Sequence, residues 1–157
     1  MSLKSAIDVR TFKQFKTNFK IGTGMEKKIV SQLSLYYPNS WGEPNNEEDE
    51  LTKQNKSYDY DFYIPSLAEE WQLEIKYSRT DRFKEEIVAI RRGVWYMKDL
   101  KNPKVLVATP RRYSLIDVED ILKIKPEPFE PWGNKLVYQV NEDDLDWNPW
   151  MIPLCKS

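Results

Sequence analysis

The chain has no histidine and a single cysteine, Cys155, among its 157 residues. Without histidine there is no Ser-His-Asp or Cys-His catalysis, no HExxH zinc hydrolase and no histidine-dependent metal nuclease. One cysteine permits no internal disulfide and disfavours a cysteine-based zinc site. No run approaches the roughly 18 consecutive apolar residues that a membrane-spanning helix needs. The first residues, Met1-Ser2-Leu3-Lys4-Ser5, lack the apolar stretch of a secretory signal. These absences lead to the expectation of a soluble, cytoplasmic protein with no membrane partner. Any chemistry must run on carboxylates, lysines and hydroxyls.

What is present is apolar and charged in useful amounts. At 40% hydrophobic and 13% aromatic, the chain can build one core and is no charge-dominated disordered polymer. Its length suits one domain over residues 1–157, with a core of about 22–140 and a Pro/Trp-rich tail packed on it. Net charge is only −1, yet it is unevenly distributed. Residues 1–42 carry 7 basic and 2 acidic side chains, and residues 79–112 carry 10 and 4. Residues 43–78 carry 3 and 10, and residues 113–157 carry 4 and 9. Such blocks suit either a solvated surface of ion pairs or a basic groove around an acidic, cation-binding centre.

Periodicity then places the elements. Val9, Phe12, Phe15 and Phe19 predict a basic amphipathic helix, and Met25, Ile29, Leu33 and Tyr36 a second one ending before Pro38. Residues 38–57 read as a long polar loop. Alternation over 58–64 and 70–78, with a turn at Pro65-Ser66-Leu67-Ala68, predicts an antiparallel hairpin. A helix is expected over 81–100, strands over 104–109, 113–116 and 136–140, and a short helix over 117–122. Aligning Phe62 with Leu73 sets Asp61 opposite Glu74 and Asp59 opposite Lys76, all on the hairpin's polar face. One meaning of that arrangement is a cross-strand ion pair without function. The other is a pair of carboxylates able to hold a hard cation, with a lysine beside them to handle water and phosphate charge.

Asp61, twelve residues, then Glu74-Ile75-Lys76 resembles the D…(D/E)xK signature of the PD-(D/E)XK nuclease superfamily. The order helix, hairpin, helix, strand is also similar to that superfamily. The run from Val107 to Ile121 looks like its small phage or mobile-element members, and Glu26 falls where Holliday-junction resolvases carry an accessory acid. The resemblance implies an α/β, restriction-endonuclease-like core with a central mixed sheet flanked by helices. It implies a Mg²⁺- or Mn²⁺-dependent endonuclease that leaves 5′-phosphate and 3′-hydroxyl ends, with a restriction, homing or junction-resolving role left open. Asp61, Glu74 and the Ile75 carbonyl would hold metal, Lys76 would be the catalytic lysine and Glu26 an accessory ligand. Three departures stand out: Tyr60 occupies the place of the motif proline, Asp59 competes with Asp61, and the stretch between Glu26 and Asp61 is longer than in the compact resolvases. Glu26 could equally favour a helix start through the helix dipole. Ser78, Arg79, Arg82, Arg91, Arg92, Arg111 and Arg112 are candidate contacts to duplex or branched DNA, with the helix over 81–100 flanking the groove. One motif cuts one strand, so a homodimer is expected, with Trp132, Trp147 and Trp150 as the preferred interface. The alternative is a non-catalytic nucleic-acid-binding protein on a nuclease scaffold.

Overall fold

The structure, a computed structural model, describes residues 24–45 and 58–154. The basic helix expected over 9–19 and the whole acidic run from Glu47 to Glu50 lie outside the described residues, as does Cys155. The second apolar stripe forms a helix over 24–33 (α1), closed by a 3₁₀ turn at Ser34–Tyr36 before Pro38. Its Ile29, Val30 and Leu33 are buried against the sheet.

The segment expected to be all loop contains a strand, β1 (Trp41–Pro44). Gly42 lets it pass close under α1, because a Cβ there would lie 2.2 Å from Val30 Cγ1. β1 pairs antiparallel with β2 (Tyr60–Ile64), and β2 with β3 (Glu69–Tyr77), giving the expected hairpin. Tyr60, Phe62 and Ile64 point inward, as their alternation requires. The register differs from the one expected by two residues. Phe62 lies opposite Trp71, Tyr60 opposite Leu73 and Asp61 opposite Gln72, not Glu74. The cause is a tighter connection: a 3₁₀ turn at Pro65–Leu67 ends on Ala68 in the left-handed region (φ 54°), and β3 begins at once.

β5 (Pro103–Ala108) runs parallel to β3, and β6 (Arg112–Asp117) antiparallel to β5. With β9 (Asn148–Pro149) they make a six-stranded mixed sheet of order β1-β2-β3-β5-β6-β9. A second sheet of order β4-β8-β7 comprises β4 (Ile87–Arg91), β7 (Glu127–Phe129) and β8 (Lys135–Asn141). The helix expected over 81–100 is therefore absent. Glu85 and Glu86 sit at φ 57° and 61°, which no helix accommodates. The β-branched run Ile87-Val88-Ala89-Ile90 instead pairs with β8, and 3₁₀ turns follow over Arg92–Asp99. Of the residues expected to face inward on that helix, Phe83, Ile90 (or its alternative Val94) and Met97 are nonetheless buried, whereas Ile87 is only half-buried. The short helix α2 (Val118–Ile121) falls where expected.

This is an α/β architecture with a mixed sheet and few helices. One face of the six-stranded sheet (Phe62, Leu73, Ile75, Leu106) packs on α1. The other, carrying Val105 and Val107, packs on Val88, Ile90, Tyr138 and Val140 of the second sheet and on α2. Where helices were expected to flank the mixed sheet, a helix covers one face and mainly a second sheet covers the other. The Trp-rich tail seals the molecule. Trp150 stacks on Tyr113 at 4.4 Å and donates to the Thr109 carbonyl at 3.0 Å. No helix among the described residues is long and apolar enough to cross a membrane.

Candidate active site

The site forms where β2 and β3 part. Their ladder ends at Tyr60 and Leu73. Just beyond, the Asp59 amide donates to the Leu73 carbonyl at 2.8 Å. The next amide along β3, that of Ile75, is taken by a side chain: it donates to Asp59 Oδ2 at 2.7 Å. From there β3 continues paired only to β5 among the described residues, with Glu74 beside Val105 and Lys76 beside Val107. Glu74 and Lys76 accordingly share the sheet face roofed by the second sheet. The amide and carbonyl of a strand residue point to the same edge, so the Ile75 carbonyl is directed to the Asp59 side of β3.

Two groups from the second sheet reach into the site. Arg91, at the end of β4, donates through Nε to Glu74 Oε2 at 2.7 Å and through Nη2 to Oε1 at 3.1 Å. Gly93 leaves room for it, since a Cβ there would lie 2.2 Å from Arg91 Nη1. Trp132, in the 3₁₀ turn after β7, faces Lys76, whose Nζ lies 4.3 Å from the ring centroid.

The electrostatics follow from this enclosure. Burial raises the Asp59 carboxyl well above its usual range, and the neighbouring charges of Glu74 and Glu26 push the same way. The Ile75 amide and Arg91 oppose that rise without cancelling it. Burial lowers the Lys76 ammonium to about 8, against the pull of Glu74. Burial also works against the charge on Arg91, but the Glu74 and Asp59 carboxylates outweigh it and raise its pKa. The site is a stack of acids with one strongly held cation and one weakly held proton.

Of the residues singled out from sequence, Glu74, Ile75 and Lys76 come together here with Asp59. Glu26, in the first turn of α1, lies near enough for its charge to bear on both Asp59 and Tyr60. Asp61 does not join them. It stands one rung away beside Gln72 and accepts from the Tyr58 hydroxyl at 2.6 Å. Asp59, whose rivalry with Asp61 was legible, occupies the position beside Glu74. The candidate DNA contacts are scattered, with no helix to carry them. Arg91 is inside the site. Arg82 and Arg112 lie 3.3 and 3.8 Å from the wholly buried Glu142 carboxylate. Arg111 pairs with Asp81 at 3.2 Å. Ser78 Oγ is within 3.3 Å of the Thr80 hydroxyl, while Arg79 and Arg92 are exposed. Trp147 and Trp150 pack within the chain and Trp132 against Phe129 and Lys76, so these three rings do not form one outward patch. Exposed aromatic surface lies instead at Trp41, Trp95 and Tyr96. The roles of Arg91, Gly93 and Trp132 left no local signal in the sequence, because each reaches the site from the other sheet.

Among the described residues, no three acidic or cysteine side chains gather tightly enough to enclose a metal ion. The oxygen donors available are the Asp59 and Glu74 carboxylates and the Ile75 carbonyl. That set fits Mg²⁺, which is commonly held through one or two carboxylates while keeping several waters. Burial is the main cause of the raised Asp59 carboxyl, and the adjoining charges of Glu74 and Glu26, which add to it, are a second sign of a place suited to positive charge. No family model, curated protein or solved structure matches the chain.

Proposed function

We propose that the chain is a Mg²⁺-dependent (or Mn²⁺-dependent) DNA endonuclease of the PD-(D/E)XK type, with Asp59 in place of Asp61 as the motif aspartate. The observation that carries this reading is the junction at Ile75. One strand delivers Asp59 to the Ile75 amide, and the flanking residues Glu74 and Lys76 lie on one face of the next strand. The run of α1, three antiparallel strands and a parallel β5 supports a restriction-endonuclease-like core. Asp59, Glu74 and the Ile75 carbonyl would hold the cation, and Glu26 would adjust the charge beside Asp59. Bound Mg²⁺ supplies Lewis acidity at a phosphate oxygen and acidifies water.

The remaining chemistry belongs to the chain. Lys76, with a pKa of about 8, is partly neutral near physiological pH and can accept a proton from the attacking water. Its charged form can equally offset charge developing on the phosphate. Water oxygen becomes bonded to phosphorus, the P–O3′ bond breaks, the released 3′ oxygen takes a proton from solvent water, and the products are a 5′-phosphate and a 3′-hydroxyl. The acting form would be a homodimer in the cytoplasm of a prokaryotic or phage-infected cell, each copy cutting one strand of a duplex or one arm of a junction.

The test offers supercoiled plasmid, phage genomic DNA and a synthetic four-way junction to the wild type with Mg²⁺. Wild type should cut at least one. Lys76→Ala and Asp59→Asn should lose cleavage by orders of magnitude with DNA binding kept, and Asp61→Asn should not. Wild-type cleavage by Lys76→Ala refutes the assignment. One observation favours a second reading, a non-catalytic DNA-binding protein on this scaffold: Arg91 already fills both oxygens of Glu74. Binding without cleavage by the wild type would select it.

A further inference from the structure

Arg91 joins the two sheets through a single carboxylate. Its guanidinium lies on Glu74 in a two-bond arrangement, at 2.7 and 3.1 Å, the geometry that makes arginine–carboxylate pairs both strong and directional. It also lies close enough for its charge to act on Asp59. One fixed positive charge therefore serves the same two carboxylates that the proposed cation would use. The glycine two residues on makes this possible, because any side chain at Gly93 would strike Arg91 Nη1. Glu74 cannot present the same lone pairs to a guanidinium and to a divalent cation at once.

We infer that Arg91 is an exchangeable counter-ion: it holds Glu74 when no divalent cation is bound, and once released it offers its guanidinium to a DNA phosphate at the same site. This rests on the nuclease reading above. Two features make exchange possible rather than a fixed structural pair. The Arg91 side chain keeps 29% of its surface accessible, more than the 15% of Glu74, so its outer edge is open to an incoming phosphate. Its long stem can also swing without moving β4, whose backbone is fixed by pairing to β8. The exchange couples cation and DNA. Arg91 weakens cation binding while it occupies Glu74, and strengthens DNA binding once displaced, so each ligand favours the other.

The experiment uses the full chain as wild type, Arg91→Gln, Arg91→Lys and Gly93→Ala. Mn²⁺ affinity is read by calorimetry, and DNA affinity is read against salt in EDTA and in Ca²⁺. Arg91→Gln should bind Mn²⁺ about tenfold tighter or more. Arg91→Lys should fall between, because an ammonium cannot cover both oxygens. Gly93→Ala keeps the charge but pushes the guanidinium off Glu74, so it should also tighten Mn²⁺ binding. That gain separates occupancy of Glu74 from a general charge effect, and it carries the test if Arg91→Gln fails to fold. In Ca²⁺ the salt slope of DNA binding should fall by about one on Arg91→Gln, and in EDTA it should not change. Unchanged Mn²⁺ affinity in Gly93→Ala, or equal loss of slope in both conditions, overturns the exchange. If the wild type cleaves and these affinities do not move, the exchange alone is wrong. If neither wild type nor Arg91→Gln binds Mn²⁺, the nuclease reading falls with it.

Discussion

Replacing Lys76 by methionine should change the pH dependence of stability in a direction fixed by the lysine's burial. In the folded chain the ammonium titrates at about 8 instead of its ordinary 10.5. At about 1.4 kcal/mol per pKa unit, holding it protonated costs the folded state about 3 kcal/mol. Below pH 8 both folded and unfolded chains carry the proton, and the full cost is present. Between pH 8 and 10.5 the folded chain releases the proton while the unfolded chain keeps it. The unfolded state then binds more protons, so stability rises with pH across this window and levels off above it. A methionine side chain has nothing to titrate, so a Lys76→Met variant lacks the rise. Loss of the Trp132 contact, on the order of 1 kcal/mol, offsets part of the variant's advantage at neutral pH but leaves the pH trend untouched. Burial raises Tyr113 to about 12, so both proteins lose stability together at the alkaline end, and subtracting one curve from the other removes that loss. Urea unfolding of both proteins in EDTA, from pH 7 to 10.5, gives the difference directly. The gap should move in favour of the wild type by about 3 kcal/mol. A gap that stays constant, or moves the other way, would refute the claim that Lys76 is held against its charge.

Gly93→Ala should cost the chain up to about 1 kcal/mol, mostly through a weakened Arg91–Glu74 pair, because the atoms it crowds are the movable end of Arg91. In an Arg91→Met background the same change should cost little, and a urea double-mutant cycle measures the difference. Arg79 and Arg92 are two of the exposed members of the basic block. Neutralising either should lower the salt slope of DNA binding by about one, whereas Arg111→Gln, with its guanidinium on Asp81, should lower it less. Sedimentation at micromolar concentration should give twice 18.8 kDa. A monomer that only nicks DNA would argue for single-strand cutting.

Much of the fold could be read from local pattern. The α1 stripe, the hairpin, and the strands that became β5, β6 and β8 follow from periodicity and turn residues. The failures have a common cause. Ile87-Val88-Ala89-Ile90 is apolar on both faces because one side meets Phe129 and Val137 while the other meets the main core. A short run buried on both sides carries no period that separates strand from helix. β1 escaped notice because only Gly42 under Val30 makes room for it, a contact between segments with no local trace. The tryptophans were legible as an excess, but not as three separate packing sites.

The candidate site shows which part of a strand pair a sequence can specify. Side chains alternate, so parity alone assigns Asp59, Asp61, Gln72, Glu74 and Lys76 to one face. That assignment survives a slip of two residues, because such a slip preserves parity. What the slip changes is which acid meets Glu74. The sequence offered two, and the choice was made by the Pro65–Leu67 turn and by the pairing of Phe62 with Trp71, whose rings lie 5.9 Å apart. The selected acid then takes a role that no ladder residue could fill. Asp61, inside the strand, has its backbone committed to pairing and its carboxylate to Tyr58. Asp59 lies just past the last rung, where its carboxylate can take the Ile75 amide that a neighbouring strand would otherwise accept. A substitution that lengthens the turn by two residues should therefore move Asp61 toward Glu74. If cleavage then tracks Asp61→Asn rather than Asp59→Asn, register selects the ligand; if it still tracks Asp59, the end of the ladder does.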